Sequence, residues 1–150
     1  MTELILTQEE GDELFAMAKV AVASDPVDLP DFGGRAEFAL VSKDRREEFV
    51  INFTRNHIKL SKRSHHMRGR KVVGLCRLCL DGSPHRNPDG EEVGTRHIHV
   101  YREGFGLKFA VDLPDGVFRD LDDGLTTIED FMRYCNVVEL PNFRRSLFTT

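Results

Sequence analysis

Apolar and polar positions change their period along this chain, and the changes mark its elements. Thr7 and Glu10 stand three apart, as the first and last residues of a capping box. Leu14, Met17, Ala18 and Ala21 follow at helical spacing, with Phe15 and Val22 beside them. This predicts a helix over residues 8–23. Pro26 and Pro30 forbid its continuation, so residues 24–34 read as a connecting loop. The period then becomes two. Residues 35–42 carry Phe38 and Leu40, 43–46 form a charged turn, and 47–54 place Phe49, Ile51 and Phe53 on one face. Arg55 and Asn56 make a tight connection to a third strand, 57–61, with Ile58 and Leu60 inward. Three short strands with short turns predict an antiparallel meander.

Residues 62–70 are polar and basic and read as a loop, whereas 71–80 are apolar on both sides, as in a central strand. A long loop, 81–95, contains Asn87-Pro88-Asp89-Gly90, a turn sequence in which proline presets one φ and glycine supplies a positive one. A strand over 96–102 turns at Gly104-Phe105-Gly106 and returns over 107–112 with Leu107, Phe109 and Val111 on one face. After an acidic loop, 114–124, Thr126 and Glu129 form a second capping box. A helix over 127–135 presents Ile128, Phe131, Met132 and Cys135 to the sheet and stops at Asn136. Residues 137–150 read as a short extended piece and a tail. The expected architecture is a single α+β domain, 1–150: an antiparallel sheet of about six strands with an N-terminal and a C-terminal helix packed on one face.

Composition narrows the class. At 40% hydrophobic and 31% charged residues, the 150-residue chain fits a globular domain rather than a disordered one. No apolar run approaches the roughly 20 residues of a membrane helix, and residues 1–10 lack the basic-then-apolar order of a signal peptide. Three cysteines, Cys76, Cys79 and Cys135, without a framework spacing point to free thiols and a cytoplasmic location. The net charge of -4 conceals an asymmetry. Residues 55–80 hold eight of the 21 Lys and Arg and no acid. Between Asp112 and Asp130, seven acids face only Arg119. A positive patch that attracts a polyanion is compatible with that distribution.

The candidate chemistry centres on residues 96–104. Alternation puts Ile98 and Val100 on one face of the strand and His97, His99, Tyr101 and Glu103 on the other, with His85 one loop away. Imidazoles titrate near neutrality, so His97 and His99 can serve as general base and general acid, His85 as a helper and Tyr101 as an orienting hydroxyl. Cleavage of RNA without a metal needs such a pair, plus a cation beside the phosphate. Arg63, Arg68, Arg70, Lys71, Arg86 and Arg102 are the candidate nucleic-acid contacts. The competing reading makes the histidines structural. No cofactor is expected. A metal held by His97 and His99, with His85 or Glu103 as third ligand, is a further alternative. Cys76 and Cys79 cannot share an ion from one strand, because residues three apart face opposite sides; they read as core thiols.

Pro84-His85, Asn87-Pro-Asp-Gly90, His97-Ile-His-Val-Tyr101-Arg-Glu-Gly104 and Phe131-x-x-Tyr-Cys-Asn136 together resemble a family of small uncharacterised proteins of bacteria and their prophages. The resemblance spans roughly residues 35–136. It implies a protein of mobile-element conflict: a toxin, a nuclease or an inhibitor of a host system. The leading expectation is a metal-independent endoribonuclease of toxin type acting on RNA. The alternatives are a non-enzymatic, anti-defence inhibitor that blocks a host nucleoprotein and a His-ligated metal-dependent hydrolase. Partners would be RNA or a host nucleoprotein, with an antitoxin or host defence protein as a further candidate and no membrane.

Overall fold

The computed structural model describes residues 5–22, 27–28, 34–59 and 61–144. Among the described residues two helices, α1 (Gln8–Ala16) and α2 (Gly124–Tyr134), accompany twelve strands: β1 (Lys19–Ala21), β2 (Val27–Asp28), β3 (Arg35–Ser42), β4 (Glu48–Arg55), β5 (Arg63–Gly69), β6 (Val73–Leu80), β7 (His85–Arg86), β8 (Glu92–Val93), β9 (Arg96–Val100), β10 (Ala110–Asp112), β11 (Val137–Glu139) and β12 (Phe143–Arg144). Eight of them form one sheet in the order β10-β9-β6-β5-β4-β3-β1-β11, antiparallel except for the parallel pair β1–β11. The fold is α+β and mostly antiparallel as expected, but the sheet has eight strands rather than six. No helix among the described residues is long and apolar enough to cross a membrane.

The largest correction falls on the basic stretch. Residues 63–69 are a central strand, not a loop, paired with β4 and β6 on its two sides. Its alternation was present in the sequence but written in polar residues: Arg63, His65, Met67 and Gly69 are buried, while Ser64, His66 and Arg68 are partly exposed. The third strand expected over 57–61 is absent from the described residues of that stretch, 57–59 and 61. The Asn56 side-chain oxygen accepts from the Ile58 and Lys59 amides at 2.8 Å each, and this local turn removes both donors from any ladder. Ile58 is 82% exposed, and Leu60 lies outside the described residues.

α1 starts at the Thr7–Glu10 capping box but ends seven residues early. The reason is Lys19. Its buried ammonium donates to the carbonyls of Phe15, Met17 and Cys135 at 2.8, 2.9 and 2.7 Å, so it caps the C-terminal ends of both helices. The chain beyond it joins the sheet through Lys19 N to Asn136 O and Val22 N to Ala39 O. α2 starts at Asp123, not Thr126: the Asp123 carboxylate accepts from the Thr126 amide and hydroxyl. The turn before β6 takes Arg70 and Lys71 at positive φ, which delays that strand to Val73.

Register sorts the sheet residues by side. Phe38, Ile51, Met67, Cys76 and Val100 are aligned across five strands, and Phe53, His65, Leu78 and Ile98 across four. Apart from Val100 and His65, these rows belong to the same buried cluster as Leu14 of α1 and Ile128, Phe131 and Met132 of α2. Burying each such aliphatic or aromatic side chain contributes about 1.5–3 kcal/mol. The alternate rows, Asn52-His66-Arg77-His99 and Thr54-Ser64-Cys79-His97, face the other way. The functional candidates lie on that side.

Candidate functional site

Arg77 and Cys79 stand two apart on β6, and His99 and His97 stand directly opposite them on β9. All four side chains therefore emerge on one face. They line a cleft of about 320 Å³, with His85, Lys62, Ser64 and Thr54 around it. His97 and His99 are 3% and 1% exposed. Their surroundings are polar: the ring centroids of His85, His97 and His99 lie 4.9 Å (97–99), 4.7 Å (85–99) and 5.6 Å (85–97) apart.

Each of the three imidazoles is held by a main-chain carbonyl. His97 Nδ1 is 2.7 Å from Gly94 O, His99 Nδ1 2.7 Å from Leu107 O, and His85 Nε2 2.7 Å from Lys108 O. A carbonyl only accepts, so each of these nitrogens carries hydrogen. In the neutral rings the lone pairs are thus on Nε2 of His97 and His99. Burial lowers the pKa of His97, and burial together with the Arg77 guanidinium lowers His99 to about 4. Both rings are neutral at pH 7. Arg77 reaches within 3.5 Å of His99 Nε2. Burial pushes the Cys79 thiol up, against the pull of Arg77.

The loop that delivers His85 is fixed by Asn87. Its buried amide donates to Ala110 O at 2.9 Å and accepts from Ala110 N at 2.8 Å, imitating one more strand along the edge of β10. Asn87 also closes the expected turn, accepting from Gly90 N, with Gly90 at φ 92°. The turn is structural, and its product is the position of His85.

Tyr101 and Glu103 do not join the histidines. β6 bulges at Leu75, which lies between the partners of Met67 and Arg68. Tyr101 N bonds the Leu75 carbonyl, β9 ends at Val100, and the alternation of 97 and 99 is not continued. The Tyr101 hydroxyl instead donates to Leu6 O, and its ring packs against Gly11 of α1. Glu103 accepts from the Gln8 amide at 2.6 Å, while its own amide donates to Gln8 Oε1. Both residues dock the start of α1.

The basic candidates separate likewise. Arg63 is buried and donates to Leu121 O at 2.6 Å. Arg68 donates to Asn52 on the cleft side of the sheet at 2.6 Å. Arg70 pairs with Glu47 at 3.2 Å, and Lys71 is exposed beside it in the β5–β6 turn. From the level of Cys79, Lys71 is about 25 Å away along the strand, at roughly 3.3 Å per residue. It does not touch a phosphate held at the histidines. Arg86 pairs with Glu92 at 2.6 Å, and Arg102 lies 3.9 Å over the Phe109 ring. The cationic residues lining the cleft are Lys62, Arg63 and Arg77; of these, Arg63 was among the six candidate contacts, whereas Lys62 and Arg77 were not. Cys79 is a third omission. It is not a core thiol: Cys76 is fully buried, whereas Cys79 is partly exposed in the cleft. Only the pairing of β6 with β9 reveals the group.

The comparison with known families gives one result. Residues 6–137 match the model of a family of unknown function, DUF6978. The chain belongs to that family. No curated protein and no solved structure matches it. The matched span contains the whole cleft, from Thr54 to His99.

Proposed function

We propose that this member of the family is a hydrolase of RNA phosphodiester bonds, with its reacting centre at His85, His97, His99 and Cys79. One observation carries the reading. Three imidazoles, each oriented by a main-chain carbonyl, converge on a cleft that also holds Arg77 and Lys62. Oriented imidazoles manage protons or ligate, and cations beside them hold phosphate oxygens. The row Thr54-Ser64 extends from Cys79 across the neighbouring strands and offers hydroxyls to a sugar–phosphate chain.

The electrostatics work against the simplest acid–base scheme. Burial disfavours the charged form of His97 and, with Arg77, of His99, which works against a resting imidazolium in the pair. The inhibitor alternative draws less support. Within the acidic segment, Asp123 caps α2 and Asp130 is buried, accepting from Arg119 at 2.9 Å through both carboxylate oxygens. Those charges hold the fold rather than imitate a phosphate chain. A role as a toxin in mobile-element conflict remains part of the proposal and predicts growth arrest on expression, relieved by His99→Ala.

The test is incubation of purified protein with single-stranded RNA, with DNA of the same sequence as comparison. The reading expects new RNA ends that disappear in His97→Ala and His99→Ala. Intact RNA across a range of divalent metals, from folded protein, would remove it.

A further inference from the structure

We infer that Cys79, His97 and His99 form a binding site for a single borderline-soft divalent cation of the zinc type, with its fourth position open to the cleft. The inference deepens the hydrolase reading but rests on separate observations. The three residues bring one donor atom each within 4.8 Å of one another. Zinc bonds of about 2.0–2.3 Å place tetrahedral donors roughly 3.5 Å apart. The donor atoms thus need to draw together by about 1 Å when an ion binds.

The outer partners match as well. Metal-bound histidines as a rule donate their second ring N–H to a carbonyl or carboxylate, which fixes the tautomer. His97 and His99 both do so, through Nδ1 to Gly94 O and Leu107 O. The Nε2 lone pairs then point away from those carbonyls; that of His99 faces Arg77 at 3.5 Å, a long contact that an ion would have to displace. The mixed thiol and imidazole donors select zinc-like ions over magnesium or calcium, which take oxygen ligands. Three protein ligands with a fourth position facing a cleft is the arrangement of a catalytic rather than a structural zinc site.

The burial of the two rings points the same way. At 3% and 1% exposure they are poorly placed to touch a substrate themselves, but an ion bound on them projects into the cleft. A dication on one thiolate keeps one net positive charge. With Arg77 beside it, the site would suit an anionic group at the open position. Cys76 takes no part, since it lies in the core against Cys135 on the other side of β6.

The test uses the tag-free full chain, reduced and stripped with a chelator, then titrated with Zn²⁺ and with Co²⁺. Expected are one ion per chain and, for Co²⁺, tetrahedral ligand-field bands with a thiolate charge-transfer band. Cys79→Ser should lose the charge-transfer band, and Cys76→Ala should keep it. His97→Ala and His99→Ala should each weaken binding by at least about 100-fold. If the histidine variants fail to fold by circular dichroism, the wild-type and Cys79→Ser spectra still decide. Folded wild type that takes up no ion, or a charge-transfer band that survives Cys79→Ser, overturns the site. Cleavage that persists in chelator, from protein that takes up no ion, overturns the site and leaves the hydrolase reading standing. Ion uptake without cleavage supports the site and removes the hydrolase reading.

Discussion

His65 and His99 are both buried on strands of the same sheet, and both have strongly lowered pKa values. They are nevertheless different kinds of residue. The His65 ring sits 4.7 Å from Phe53 and 5.5 Å from Phe131, and neither of its nitrogens has a hydrogen-bond partner among the described residues. Burial, then the charges of Arg63 and Arg55, hold it neutral down to about pH 3. His99 has a carbonyl on one nitrogen, Arg77 near the other and two further imidazoles within 5 Å. A perturbed pKa therefore marks both a core residue and a site residue. What separates them is the set of oriented partners, and that set is the better guide to chemistry.

Removing each ring in turn tests this contrast most severely. His99→Ala should reduce RNA cleavage by at least about 100-fold, the usual contribution of a positioned imidazole. His65→Leu, assayed at pH 7 on the same substrate, should retain most of the activity. If both variants lose activity equally while staying folded, the partners do not matter and the contrast collapses.

Acid sharpens it from the other side. The His65 pKa is lowered from 6.5 in the unfolded chain to about 3 in the fold. The folded protein therefore binds fewer protons between these values, and stability falls as pH drops below 6.5. At pH 5 the loss from this one group is about 2 kcal/mol, at 1.36 kcal/mol per pH unit. Urea unfolding at pH 7 and pH 5 should show it in the wild type, and His65→Leu should show a difference smaller by about that amount. An unchanged pH dependence would mean that His65 is charged or solvated in the fold.

The sequence made much of this legible where apolar residues carried the period. β3, β4 and the face of α2 were readable from Phe38, Phe49, Ile51, Phe53, Ile128 and Phe131. β5 was not, because His65, Arg63 and Gly69 occupy its buried positions and carry no hydrophobic signal. For the site, the side-by-side emergence of His97 and His99 followed from alternation alone. Extending that alternation to Tyr101 and Glu103 failed, since a bulge on the neighbouring strand is invisible from the strand itself. Cys79 and Arg77 were missed for a related reason. Their place beside the histidines is a fact of register between strands separated by a long loop.

That loop gives a gentler perturbation. Asn87→Ala removes both hydrogen bonds to Ala110 and should cost about 1–2 kcal/mol. The loop that carries His85 then loses its tie to β10, while the carbonyl partners of His97 and His99 are untouched. Cleavage should fall, while zinc uptake, read by the Co²⁺ spectrum, changes little. Equal loss of both would place His85 among the ligands.

The smallest effect should come from Tyr101→Phe. The hydroxyl donates to the Leu6 carbonyl and accepts from the Leu6 amide at 3.2 Å, and it has no contact with the histidine cluster. Its removal leaves two main-chain groups near the start of α1 to water, a change of about 1 kcal/mol. Urea unfolding should report that loss, and hydrogen exchange should quicken at residues 6–10. Cleavage should be unaltered, because the ring still fills its place against Gly11. A Tyr101→Phe protein of wild-type stability with impaired cleavage would return the hydroxyl to the chemistry. It would also show that the bulge at Leu75 does not separate the two ends of this strand.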